Sequence, residues 1–410
     1  MVFGLVLTLA VAGVHYYLWR RLVRGTTRPG RARRVLTWSL VGLGALVPVT
    51  LAASRSEFGH WLAWPGFFWL AVMFYLVVFL VLLEIPRGVA AVLLRRRAPV
   101  AQALTVPPAV PEGPPAVPEG PPAVPQVSAA EPDLVSRRLF LGRATAAVAG
   151  VGALATVGYG ISTALGAPVV EPVRIALPRL DPRLSGLRFA VVSDIHLGPL
   201  TGLRHTERIV RMINELDADV VAIVGDLVDG TVAELGPLAE PLKELQSRYG
   251  SYFVTGNHEF YTANGPGEWM AELERLDVRP LRNERVEIIH RGAVLDLAGV
   301  DDVTGEPDFE RALGGRDRSR SSVLLAHQPV QVAKAAGYGV DLQLSGHTHG
   351  GQMVPFNLIV PMQQPVVSGL ATVDGVQVYV TRGAGFWGPP VRVGAPPEIT
   401  LAELTHVGGS

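Results

Sequence analysis

The chain has 410 residues, no net charge at neutral pH and no cysteine. A neutral chain lacks the basic footprint of a nucleic-acid binder, so no nucleic acid is expected as a partner. Without cysteine, disulfides, thiolate zinc fingers and iron–sulfur clusters are excluded, and any metal must be held by oxygen and nitrogen.

Residues 1–19, 35–53 and 61–83 are three uncharged, mostly apolar runs. Each approaches or exceeds the roughly 20 residues that span a bilayer as a helix. Trp61, Trp64 and Trp69 open the third run, where an aromatic belt lies. Between the first two runs stand Arg20, Arg21, Arg24, Arg28, Arg31, Arg33 and Arg34, whereas the next loop has Arg55 alone; Arg95, Arg96 and Arg97 follow the third run. Positive loops stay cytoplasmic, so the N-terminus is expected outside and the third helix is expected to exit inside. Residues 1–97 thus read as a membrane domain with three transmembrane helices.

Residues 98–135 read as a linker. Pro-Pro-Ala-Val-Pro-Glu-Gly occurs at 107–113 and again at 114–120, with a partial copy at 121–125. Such proline density favours an extended polyproline II spacer. Ser136-Arg137-Arg138-Leu139-Phe140-Leu141 is followed by an uncharged Ala/Gly-rich run from Ala144 to Val170. Residues 136–170 resemble a twin-arginine export signal placed internally, which makes the twin-arginine translocase a candidate partner. An ordinary fourth membrane helix is the alternative. Both give one topology: a multi-pass protein of the cell membrane with residues 171–410 on the extracytoplasmic side.

From Arg188 the pattern changes. Apolar runs 189–192, 220–224, 252–255 and 323–326 read as strands, with helices expected over 206–216 and 236–246 between the first three. Apolar strands alternating with helices imply parallel strands buried on both faces. Segments 366–370, 376–380 and 399–404 are short strands without intervening helices, so a second, more antiparallel sheet is expected to pack on the first.

Five apolar strands end in metal-binding side chains: Asp194 and His196, Asp226, Asn257 and His258, His327, and His347 and His349. The last two follow the alternating stretch 340–344 and, two residues apart on a strand, would point the same way. In α/β sheets ligands bind outside the carboxyl ends of strands. Asp194, His196, Asp226, Asn257, His327, His347 and His349 make seven ligands, whereas one zinc site takes about four. Seven with a shared carboxylate suit two metals about 3.5–4 Å apart, an arrangement made for phosphate-ester hydrolysis. Histidine, carboxylate and one amide fit manganese, iron or zinc.

Asp194-Ile195-His196, Gly225-Asp226-Leu227-Val228-Asp229, Gly256-Asn257-His258-Glu259, His327 and Gly346-His347-Thr348-His349 resemble the full signature of the calcineurin-like metallophosphoesterases. The resemblance spans residues 188–404. Thr381-Arg382-Gly383-Ala384-Gly385, Pro390-Val391-Arg392 and Pro397-Glu398-Ile399-Thr400 are similar to its membrane-associated bacterial branch. The resemblance implies an α/β, two-sheet sandwich flanked by helices, here preceded by about four transmembrane helices. It implies Asp194, His196 and His349 on a first metal, Asn257, His327 and His347 on a second, and Asp226 bridging. It implies that His258 is catalytic and faces the leaving oxygen, and that Glu259 either orients His258 or caps the next turn.

Asp229 reads equally as motif residue or turn residue, His205 as a loop histidine, Arg392 as a surface arginine, and Asn283, Asp301 and Asp302 as structural. The expected function is hydrolysis of a phosphate ester, a phosphodiester of an envelope lipid, sugar nucleotide or wall polymer before a monoester, through metal-activated hydroxide. The alternative is a non-catalytic membrane sensor that binds phosphate or metal.

Overall fold

The computed structural model describes residues 2–53, 61–96 and 131–406. Most of the expected proline-rich spacer, up to residue 130, lies outside the described residues. The chain separates into two compact units, one of Met1–Ala45 with Met73–Leu154 and the other of Leu46–Val72 with Ala155–Ser410.

Four apolar helices precede the sheets: α1 (Val2–Leu18), α2 (Arg31–Ala53), α3 (Ala63–Arg96) and α4 (Glu131–Ala164). Among the described residues three spans, Arg31–Ala53, Ala63–Pro86 and Leu139–Ala164, are long and apolar enough to cross a membrane. The first run forms only 17 helical residues before a π-helical stretch, Trp19–Arg24. Helix α4 starts ahead of the expected residue 136, with Pro132 in its first turn, where a missing N–H leaves no bond unmade.

The second unit holds two six-stranded sheets. In the first, β1 (Val169–Leu177) pairs in parallel with β12 (Glu398–His406), which pairs antiparallel with β2 (Arg188–Val192). Strands β3 (Val220–Val224), β4 (Ser251–Val254) and β5 (Val278–Pro280) continue in parallel from β2. The second sheet has the order β10-β11-β9-β8-β7-β6. Its members are β6 (Glu284–His290), β7 (Ala293–Gly299), β8 (Ser322–Leu325), β9 (Leu342–Ser345), β10 (Gly369–Val373) and β11 (Val376–Val380).

That second sheet is the more antiparallel of the two, as expected, with two antiparallel pairs where the first has one, β12 with β2. Only its edge strands β6 and β10 run antiparallel to their neighbours, while β7, β8, β9 and β11 are mutually parallel. The segment 399–404 belongs to the first sheet, as part of β12. Adjacency in sequence was the only guide to those strands, and it does not determine which sheet takes them.

Side-chain alternation builds three apolar layers. Phe189, Val191, Ala222 and Val224 face Leu295, Leu297, Val323, Leu325, Leu342 and Leu344 between the sheets. The intervening residues Ala190, Val192, Val221 and Ile223 turn outward onto α5 (Leu203–Glu215), α6 (Val232–Ala239) and α8 (Gly267–Arg275), which bury Ile209, Leu235 and Trp269 there. Ala298, Leu324 and Val378 meet α9 (Phe309–Leu313) and α10 (Val332–Gly337) on the far side. The expected helix over 236–246 divides into α6 and a 3₁₀ segment, Glu240–Glu244, because Pro241 follows so closely. A capping box between Thr231 and Glu234 starts α6.

Candidate metal centre

The C-terminal ends of β2, β3, β4, β8 and β9 converge, which places side chains from both sheets in one cleft. Asp194, His196 and His349 form one group able to hold a metal, and Asp226, His327 and His347 another. Asp226 joins the two, since it also groups with His196 and His258. His196 Nε2 lies 3.2 Å from His349 Nε2 and 3.8 Å from Asp226 Oδ2, and His327 Nε2 lies 3.2 Å from the same oxygen. His349 Nε2 is 3.3 Å from Asp194 Oδ1.

Local backbone geometry explains this convergence. Asp194, His196, Asp226, His347 and His349 all adopt left-handed conformations, with φ of 53°, 50°, 52°, 72° and 52°. Non-glycine residues held there store strain, which is characteristic of functional sites. Strand β9 ends at Ser345, so strand alternation does not align His347 and His349. They turn instead to the two separate groups. The His347 N–H donates to Asp194 Oδ2 at 2.9 Å and the His258 N–H to Asp226 Oδ1 at 2.9 Å. The other oxygen of each carboxylate is left facing the cleft.

Three atoms test whether these residues fit a metal. Asn257 Oδ1 is buried without a hydrogen bond, and buried Asp194 Oδ1 and His327 Nε2 face only other candidate ligands, His349 and Asp226. A buried polar atom without a partner costs free energy, and a bound cation would satisfy all three. The donor set is nitrogen and oxygen only, as suits a hard or borderline divalent ion. The residues fit.

Electrostatics follow from the clustering. Burial alone would raise the pKa of Asp226, but His327, His258 and His196 hold it well below the usual carboxylate range. Burial would lower that of His258, yet the charges of Asp226 and Asp229 and the Asp229 hydrogen bond lift it to about 9. Burial and the nearby His327 push His347 down to about 4.

Several residues stand where the sequence did not place them. Asp229 is more than a turn residue: its Oδ1 is 2.9 Å from His196 Nδ1 and 2.6 Å from His258 Nδ1. Glu259 makes no hydrogen bond to His258; it is the cap that the sequence offered as the alternative, accepting from the Gly256 N–H at the start of α7 (Asn257–Tyr261). Its carboxylate accepts from the N–H groups of Asp226 at 3.1 Å, Leu227 at 2.8 Å and Gly256 at 2.6 Å, and so ties two metal-site loops together. Arg392 is fully buried, donates to the carbonyls of His349 and Arg382 at 2.8 and 2.9 Å, and stands 3.1 Å from His349 Nδ1. His205 lies in the first turn of α5, not in a loop. Arg282 and Thr255 bind Asp301, and Asn283 accepts its N–H, as structural residues do.

A two-sheet α/β sandwich with oxygen and nitrogen donors converging at its strand ends defines a class of metal-dependent hydrolases. Residues 187–351 match the calcineurin-like phosphoesterase family. A transmembrane protein with metallophosphoesterase domain from Bos taurus is 41% identical over 262 residues, covering 60% of this chain and 59% of that protein. Uncharacterized metallophosphoesterases of Helicobacter pylori (strain J99) and Aquifex aeolicus are 37% and 32% identical, covering 61% and 58% of this chain and 68% and 92% of their own lengths. This chain belongs to the calcineurin-like metallophosphoesterase family. Its alignment spans about 59% of the length of the vertebrate relative.

Proposed function

We propose that the protein is a membrane-anchored phosphoesterase using two divalent metals, with phosphodiesters as its preferred substrates. Asp194, His196 and His349 hold one ion, Asn257, His327 and His347 the other, and Asp226 lies between. The observation that supports this reading is the two ligand groups that meet at the shared Asp226, with the buried Asn257 Oδ1 left without a hydrogen bond. When bound, such a pair of ions supplies Lewis-acid charge and lowers the pKa of water between them.

The chain's own residues do the rest. Asp229 holds His258 through Nδ1, leaving Nε2 directed at the cleft, 4.0 Å from Asp226 Oδ2. His258 then hands the Nε2 proton to the departing ester oxygen, as a general acid. The Asp229 carboxylate at Nδ1 favours the protonated imidazole that this role requires. Ligands on five separate strand ends fix the reacting geometry before substrate arrives.

The membrane anchor supports the topology expected from arginine. Phe67, one turn into α3, and Gly160, one turn from the end of α4, both lie against the segment 388–392. The start of α3 and the end of α4 thus share one side with the metal centre. That side is extracytoplasmic in this reading, and the substrate is an envelope phosphoester.

The test is hydrolysis of bis-p-nitrophenyl phosphate against p-nitrophenyl phosphate by the full chain in detergent, after chelation and then resupply of manganese, zinc or iron. Metal-restored diester cleavage is expected. Monoester cleavage alone would make it a phosphatase, and two bound metals with no hydrolysis would favour a sensor.

A further inference from the structure

An apolar loop borders the metal centre. Between His349 and Asp374 the sequence has no charged residue. Leu358 is 74% exposed and Met362 82%, and Val354, Phe356 and Ile359 are exposed beside them. Large apolar side chains gathered on one exposed loop mark an interaction surface. Trp387, also exposed, stands at the mouth of the site with its ring 6.5 Å from that of His258.

The apolar helices touch this rim. Gln352 Nε2 donates to the Trp387 carbonyl at 2.9 Å, and the Val354 N–H to the Val393 carbonyl at 3.0 Å. The Arg392 N–H donates to the Gly160 carbonyl of α4 at 2.9 Å, and a Cβ on Gly160 would overlap Val391. Gly160 lies inside the apolar span that ends at Ala164. Four residues are roughly 6 Å of helix, so the segment bound to Gly160 sits at the depth where a spanning helix leaves the bilayer. The loop is also built for a poorly hydrated layer. The N–H groups of Phe356, Leu358, Ile359 and Met362 donate to carbonyls of the loop itself, and Pro355 and Pro361 have none to satisfy. Tryptophan favours the membrane–water boundary.

We propose that the loop from Val354 to Met362, with Trp387, is embedded in the interfacial layer of the bilayer that the apolar helices span. The metal centre then opens onto the membrane surface and takes its phosphoester from a lipid-borne headgroup. The second half rests on the phosphoesterase reading; the first does not.

The absence of cysteine allows a single label on the full chain. Leu358→Cys and, as reference, Lys243→Cys on the exposed 3₁₀ segment are labelled with an environment-sensitive fluorophore. The proteins are reconstituted in phosphatidylcholine–phosphatidylglycerol vesicles. Nitroxide-bearing lipid is expected to quench the label at 358 at least about three-fold more than that at 243, with aqueous iodide giving the reverse order. Iodide quenching equal at both sites overturns the proposal. A label at 358 shielded from both quenchers also overturns it, because a second copy or a protein partner then covers the loop.

For the second half, Leu358→Asp and Met362→Asp are compared with the unaltered chain on an alkyl p-nitrophenyl phosphodiester held in vesicles and on bis-p-nitrophenyl phosphate in solution. The ratio of the two rates is expected to fall about ten-fold in both variants. An unchanged ratio refutes supply from the membrane. If the unaltered chain cleaves neither ester, the phosphoesterase reading and the lipid-substrate half fall together, while the quenching still decides where the loop lies.

Discussion

Asp229 Oδ1 sits between His196 Nδ1 and His258 Nδ1, and so reaches both a metal-ligand candidate and the proposed acid. Carboxylates in that position orient imidazoles and raise their basicity. Asp229→Ala is expected to lower kcat about 10–100-fold while the protein stays folded, as steady-state rates and circular dichroism would show. Asp226→Asn and His347→Ala are expected to abolish metal-dependent hydrolysis. His258→Ala should retain metal, measured by atomic emission on the purified protein, and lose about 10²–10⁴ in rate. An intact rate in the first two variants would sink the two-metal reading. The motif offered Asp229 as a site residue, but its two partners come from other strand ends and were not visible locally. The same holds for Arg392, which reads as a surface residue in a Gly/Pro-rich stretch and is buried only because the chain folds over it.

His205 gives an independent reading of acid stability. Burial and then the charge of Arg208 push its pKa from 6.5 to about 4, and its Nε2 is enclosed without a partner. The folded state therefore resists the proton that the unfolded chain takes up. Stability is fully present above pH 6.5 and is lost as pH falls toward 4, by at most about 3 kcal/mol. His205→Asn should flatten the fall in melting temperature over that window, and an unchanged slope would show that another group dominates.

At the scale of elements, the strand-end motifs were legible because each apolar run stops at its polar residue. Glycine makes those ends possible. A Cβ on Gly346 would lie 2.5 Å from Asp194 Oδ2 and 2.6 Å from the Ser193 Cβ. Gly346→Ala is expected to cost about 1–3 kcal/mol and to weaken metal binding, read by calorimetry with manganese. Unchanged affinity would mean that the β9 turn shifts freely. The strands β6 and β7, and the pairing of β7 with β8, were not legible. Pairing depends on contacts between distant segments, and alternation in β6 gives only its faces. Glu259 was read as a capping or orienting carboxylate from its position alone. The cap at Gly256 is present, whereas the bonds to the Asp226 and Leu227 N–H groups come from another strand end and leave no local pattern.

At the scale of the whole molecule, apolar runs announced helices long enough to cross a membrane. Two contacts inside the second unit, Gly160 with Val391 and Gly388 with Phe67, had no local sequence signal. The anchor also passes into the fold with almost no slack. Helix α4 ends at Ala164 and β1 starts at Val169, then runs parallel to β12 through nine residue pairs, from Val169–Glu398 to Leu177–His406. Any pull between membrane and domain loads that ladder in shear, with all its hydrogen bonds sharing the force instead of opening one by one. The C-terminal strand thus serves as the mechanical clamp of the tether, and tension passes along the edge of the first sheet without crossing the loops that carry the metal ligands.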